Sequence, residues 1–190
     1  GRGWKSWSIH GIDMEEYEYL QLVKPAGRTL QSYISEYRPE SSIESIACDV
    51  MKCGIQNESD IEMLCALACF SIVDREYGHT EVAVARFVEM LNGLCLVTWH
   101  NRHDDICSIL QDYGNSSSVL CLEFMVFNPP SIYDSAEPFS VGNRAVHAIS
   151  FIDGPEAIAS LERIYTVQEN SIGLTAKRLL GAMTGKCSRD

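Results

Sequence analysis

The residues with the most chemical potential stand together in Trp99-His100-Asn101-Arg102-His103-Asp104-Asp105. Two imidazoles three positions apart, followed at once by a carboxylate, would face one cation if the segment were helical. An ion held by His100, His103 and Asp104 could activate water for hydrolysis. A structural role costs less. The string lies between a run that reads as a strand and DDICSILQDY, for which Asp104 is a good helix cap, so both histidines become turn or surface groups. His147 alternates with apolar neighbours, as a hydrogen-bonded sheet residue would, and His10 and His79 stand beside glycines in loops.

Other reactive chemistry lacks its patterns. There is no G-x-S-x-G elbow, no phosphate-cradling G-x-x-x-x-G-K-[ST] loop and no G-x-G-x-x-G. The eight cysteines contain no C-x-x-C. Most sit inside apolar runs such as MLCALACF, where a free thiol behaves as a small hydrophobe, so they read as reduced and intracellular. Cys65 and Cys69 are one helical turn apart but have only apolar neighbours, and Cys48 or Cys53 would need a distant histidine to become a nucleophile. No cofactor is implied. Pro129-Pro130-Ser131-Ile132-Tyr133 has one residue too many for a P-P-x-Y motif, although exposed proline beside aromatic rings still offers a docking surface.

Elements must position these groups. EEYEYLQLV, residues 15–23, alternates like a strand, and residues 28–37 suit a short helix. Ser41 or Ser42 would cap a helix with Ile43, Ile46, Ala47 and Val50 on one face, stopped by Gly54. The clearest helix starts at Ser59, with Asp60 and Glu62 in its first turn and Ile61, Leu64, Cys65, Ala68 and Ile72 at helical spacing. Being apolar almost all round, it should be enclosed. TEVAVARFVEM alternates, with a helix competing, while LCLVTW, VLCLEFMVF and RAVHAISFI read as strands. Residues 128–143 hold three of the six prolines and read as a long loop. Gly154-Pro155 opens a helix with a stripe from Ala157 to Tyr165, and a last helix covers about Ser171 to Met183. The expected fold is α+β, a central, mostly antiparallel sheet with helices packed on it. An arm, residues 1–13, precedes a single globular domain, residues 14–190.

With 190 residues the chain can bury a core, and no stretch approaches the roughly 20 apolar residues of a membrane span. The 15 Lys and Arg face 26 Asp and Glu, a formal net charge of −11, which disfavours a phosphate-coating surface and sequence-specific contact with nucleic acid. Only the stretch from residue 167 onward is net positive, through Lys177, Arg178, Lys186 and Arg189. The chain starts at Gly1 without a signal-peptide pattern, which reads as a segment lacking its natural start.

The order of elements resembles that of rhabdovirus matrix proteins. The likeness rests on DVMKCG before the apolar ESDIEMLCALACFSIV helix, then strands including LCLVTW, then HAISFIDGPEAIASLERIY leading into SIGLTAKRLLGAMTG. It implies a non-enzymatic viral protein of the virion, the host cytoplasm and the inner membrane face. Such a protein self-associates, bridges nucleoprotein to envelope in budding and contacts host proteins. Family members carry a basic N-terminal tail for membrane attraction, whereas this chain begins Gly1-Arg2-Gly3-Trp4, so its own membrane binding should be weak. Self-association is expected through Trp4 and Trp7 on the arm and through Pro129, Pro130, Tyr133 and Phe139 in the loop.

Overall fold

A computed structural model describes residues 6–9, 12–15, 43–76, 79–130 and 140–185. Strands β1 (Ser6–Ile9) and β2 (Ile12–Glu15) pair antiparallel, with Trp7 opposite Met14. Everything else regular among the described residues is helical. The central antiparallel sheet expected from the sequence is therefore corrected: the middle of the chain is a succession of helices. The chain forms two compact units, residues 1–87 and 88–190.

In the first unit, α1 (Ile43–Asn57) packs on α2 (Asp60–Glu76). Ser59 begins α2 as its sequence indicated, its hydroxyl accepting from the Glu62 N–H at 3.3 Å. Gly54, expected to stop α1, lies inside it. A Cβ there would sit 3.1 Å from the Met63 nitrogen, so glycine permits the close approach of α1 to the start of α2. Ala47, Cys48, Val50 and Met51 meet Met63, Ala66, Leu67, Cys69 and Phe70 in the core, while Leu64 is only half-buried. Ala68, from the same face as read in the sequence, is half-buried as well. The Phe70 ring stacks between His79 at 3.8 Å and Phe87 at 4.2 Å. The expected cap at Ser41 or Ser42, the short helix at 28–37 and the strand beyond Glu15 lie outside the described residues.

Phe87 belongs to α3 (Glu81–Leu94), which continues into the second unit and replaces the alternating strand expected in TEVAVARFVEM. Its buried residues Phe87, Val88, Leu91 and Leu94 have helical spacing, whereas Val82, counted as a strand position, is exposed. LCLVTW becomes the end of α3 and a turn. After it come α4 (His103–Tyr113), α5 (Ser116–Phe127), α6 (Ser140–Phe151), α7 (Pro155–Val167) and α8 (Ser171–Met183).

Helix α5 takes the place of the VLCLEFMVF strand for a local reason. Asn115 accepts from the Ser117 N–H at 2.9 Å, and the Ser118 hydroxyl accepts from the Asn115 N–H at 3.3 Å, a reciprocal cap that starts a helix. RAVHAISFI is likewise helical, and α6 begins at Ser140, inside the segment read as loop. Val141, Ala145, Ala148, Ile149 and Ile152 recur at three and four residues, the helical period, and are buried. Helix α6 is central to this unit, packing on α4, α5, α7 and α8. The ends of α7 and α8 agree with the sequence: Pro155 occupies the first turn of α7, and Asn170 caps α8 by accepting from the Ile172 N–H at 2.9 Å.

Candidate functional site

The His100, His103 and Asp104 group is built into the connection between α3 and α4. The turn brings His100 Nε2 within 3.0 Å of the Leu94 carbonyl, to which it donates, while His100 Nδ1 accepts from the Arg102 N–H at 3.1 Å. Both ring nitrogens are engaged, and the imidazole is neutral with its proton on Nε2. His103 donates from Nε2 to the Val97 carbonyl at 2.9 Å, and the two buried rings stack at 4.2 Å. Burial, with the neighbouring His100 adding to it and the Val97 contact opposing, lowers the His103 pKa to about 4. Asp104 is directed instead toward Arg144 of α6, 3.5 Å from its Nε. Among the described residues no group of three or more His, Cys, Asp or Glu side chains is placed to hold a metal ion. The pair fastens the end of α3 to the start of α4.

The thiols are similarly placed. Cys48, Cys53, Cys69, Cys95, Cys107 and Cys121 form no disulfide. Burial pushes the Cys107 thiol up to about 12 and Cys95 higher still, and it raises Cys53 with help from Glu62 and Asp49. A nucleophilic cysteine needs the opposite shift. The candidate nucleophile Cys48 is buried in the core beside α2.

Helix α5 presents a different surface. Its inner side buries Val119, Leu122, Met125 and Val126. Its outer side exposes Leu120 at 67%, Phe124 at 42% and Phe127 at 36%, at positions i, i+4 and i+7 of one stripe. Ser116 and Ser117 extend this face, so none of the residues that α5 exposes is charged. Helices α3, α4, α6, α7 and α8 each expose charged side chains. On one flank Glu123 turns inward, nearly buried, and meets Arg163 of α7 in a paired contact, Oε1 to Nε 2.7 Å and Oε2 to Nη2 2.6 Å. Burial acts to raise the Glu123 pKa, but the Arg163 hydrogen bonds and charge, with a contribution from Ser160, bring it below the usual carboxylate value.

Of the residues expected to mediate self-association, Pro129 is exposed, two residues beyond Phe127, whereas Pro130 is buried. Trp7 lies in β1; its side chain, together with Trp4, Tyr133 and Phe139, falls outside the described residues. The sequence reading missed the stripe of Leu120, Phe124 and Phe127 because a strand places Phe127 on the face opposite Leu120 and Phe124. Their spacing becomes visible once the Asn115 and Ser118 cap assigns the run to a helix. Lys177 and Arg178 are exposed on α8, the former over the Tyr165 ring at 5.4 Å. No helix among the described residues is long and apolar enough to cross a membrane. No family model, curated protein or solved structure matches the chain.

Proposed function

We propose that the protein works by assembling with further copies of itself through the outer face of α5, as a structural protein rather than a catalyst. The observation that carries this reading is the uncharged stripe of Leu120, Phe124 and Phe127. A contiguous apolar face on a helix that is already packed on its other side marks an interaction surface. The charge of the chain argues for a second copy as the occupant. Two molecules of net charge −11 repel one another wherever charged surfaces meet, and α5 offers a face on which no exposed charge is apposed or desolvated.

Magnitudes set the strength. A large apolar side chain yields about 1.5–3 kcal/mol when fully buried, so these three partly covered groups, contributed by each of two copies, supply roughly 4–10 kcal/mol. Association costs about 4–15 kcal/mol in rigid-body freedom. The complex is therefore weak, reversible and dependent on concentration. Because the interface is neutral and the copies repel, added salt should strengthen it by screening.

The matrix-type extension, bridging nucleoprotein to an envelope in a virion, draws on the resemblance alone. Two strands on which that resemblance leaned, LCLVTW and HAISFI, are a helix end with a turn and a helix, so the proposal is kept to assembly. Sedimentation velocity over a wide concentration range, at low and moderate salt, tests it. The weight-average sedimentation coefficient should rise with concentration and with salt, and Leu120→Gln with Phe124→Gln should suppress the rise. A parent that stays monomeric throughout, or a variant that associates equally, would overturn it.

A further inference from the structure

A second site lies between α4 and α6, away from the stripe residues of α5. Facing pairs at helical spacing, Ser108 and Gln111 on α4 and Arg144 and His147 on α6, surround a half-open cavity of about 190 Å3, with buried Cys107 also in its lining. All four polar side chains can donate hydrogen bonds. Arg144 approaches Asp104 through Nε at 3.5 Å, which leaves the terminal nitrogens of its fork for another acceptor. The Ser108 hydroxyl donates to the Asp104 carbonyl at 3.1 Å, so it can accept from a protonated ligand oxygen. His147 and Gln111 complete the lining of the cavity.

Size and chemistry narrow the ligand. Drug-sized molecules and nucleosides occupy cavities of roughly 300–1,000 Å3, which this one does not reach. Donor-bearing side chains supplied by two helices, with a guanidinium among them, match the several acceptor oxygens of an oxyanion. Burial keeps the Cys107 thiol protonated, so that wall of the cavity carries no thiolate to repel an anion. We propose that the space between Ser108 and Gln111 of α4 and Arg144 and His147 of α6 is a binding site for a small oxyanion, a phosphate or a short carboxylate. Occupancy would tie the two helices together through the ligand.

The test is calorimetric titration of the full chain with inorganic phosphate in one arm and acetate in the other, with chloride as the ionic-strength control. Saturable one-to-one binding of either probe at millimolar concentration, absent with chloride, is the expected result, and the stronger arm assigns the ligand as tetrahedral or planar. Gln111→Glu places a carboxylate in the cavity while leaving the Arg144 and Asp104 contact intact, and should weaken binding at least roughly tenfold, or about 1.4 kcal/mol. Arg144→Gln should do the same, with circular dichroism confirming its fold. Absence of saturable binding in both arms would overturn the proposal, as would equal affinity in the parent and in Gln111→Glu. The self-association variants Leu120→Gln and Phe124→Gln should bind the probe normally, which keeps this result separate from assembly.

Discussion

Helices α2 and α5 share a composition and differ in their surroundings. Both are apolar almost all round. Phe70 of α2 is closed between the rings of His79 and Phe87, whereas Phe124 and Phe127 of α5 remain partly in contact with water. The first spends Met63, Ala66, Leu67, Cys69 and Phe70 on the core of its own unit. The second has surface left over, and it retains charge only where Glu123 can turn inward to Arg163. Composition therefore says how much apolar area a helix must cover, while the fold decides whether one chain covers it.

Truncation at the enclosed helix should separate the two most strongly. Phe70→Ala removes a ring from a filled core and should cost about 3–5 kcal/mol, seen as a large fall in the urea midpoint. A small change would mean that Phe70 is not enclosed and that the two helices are alike. Acid should produce the next largest effect. The folded pKa of His103, about 4, lies below its ordinary value of 6.5, so the folded state holds the neutral ring. Its contribution is complete above pH 6.5 and is lost as pH falls through that value toward about 4, on the order of 3 kcal/mol in total. Denaturation midpoints followed across this window should fall on acidification. His103→Gln, which can still donate to Val97, should flatten the dependence, and an unaltered slope would place the titration elsewhere.

A smaller loss is expected at the flank of the α5 stripe. Glu123→Gln removes the charge from a nearly buried carboxylate, but Arg163 is half-exposed and solvated, so about 1 kcal/mol of stability should disappear. A loss as large as that of Phe70→Ala would show Glu123 to be a core determinant. Least of all should be felt at the stripe itself, where Phe124→Gln should leave unfolding within about 0.5 kcal/mol of the parent while association declines. Unfolding that suffers as much as association would show Phe124 to be part of its own unit's core.

The helices with explicit ends were legible. Ser59 before Asp60, Pro155 in the first turn of α7, and the stretch Ser171–Met183 carry start and stop chemistry that tertiary context left alone. The middle was not. VLCLEFMVF is a short apolar run whose length suits a buried strand or a buried helix, and periodicity cannot divide them when nearly every position is apolar. In TEVAVARFVEM the alternating valines suggested a strand, although Val82 is exposed and the buried set begins at Phe87. For α6, its first turn fell in a segment dismissed as loop because of nearby prolines, which hid Val141 from the pattern it begins. The histidine pair was legible as a place of interest, but backbone carbonyls six residues back in sequence claim its ring nitrogens, and no spacing rule announces that.

Three links in the second unit are short. Gly114 and Asn115 join α4 to α5, residues 152–154 join α6 to α7, and residues 168–170 join α7 to α8. Across the last two links, α6 packs on α7 and α7 on α8, so these sequence neighbours meet with little loop entropy to overcome. Helical domains of this kind reach the native state in about microseconds to milliseconds. At dilute protein concentration, encounters between copies are slower. The α5 face is accordingly finished before a second chain arrives, and stopped-flow refolding should show a rate independent of protein concentration, followed by a slower phase that depends on it.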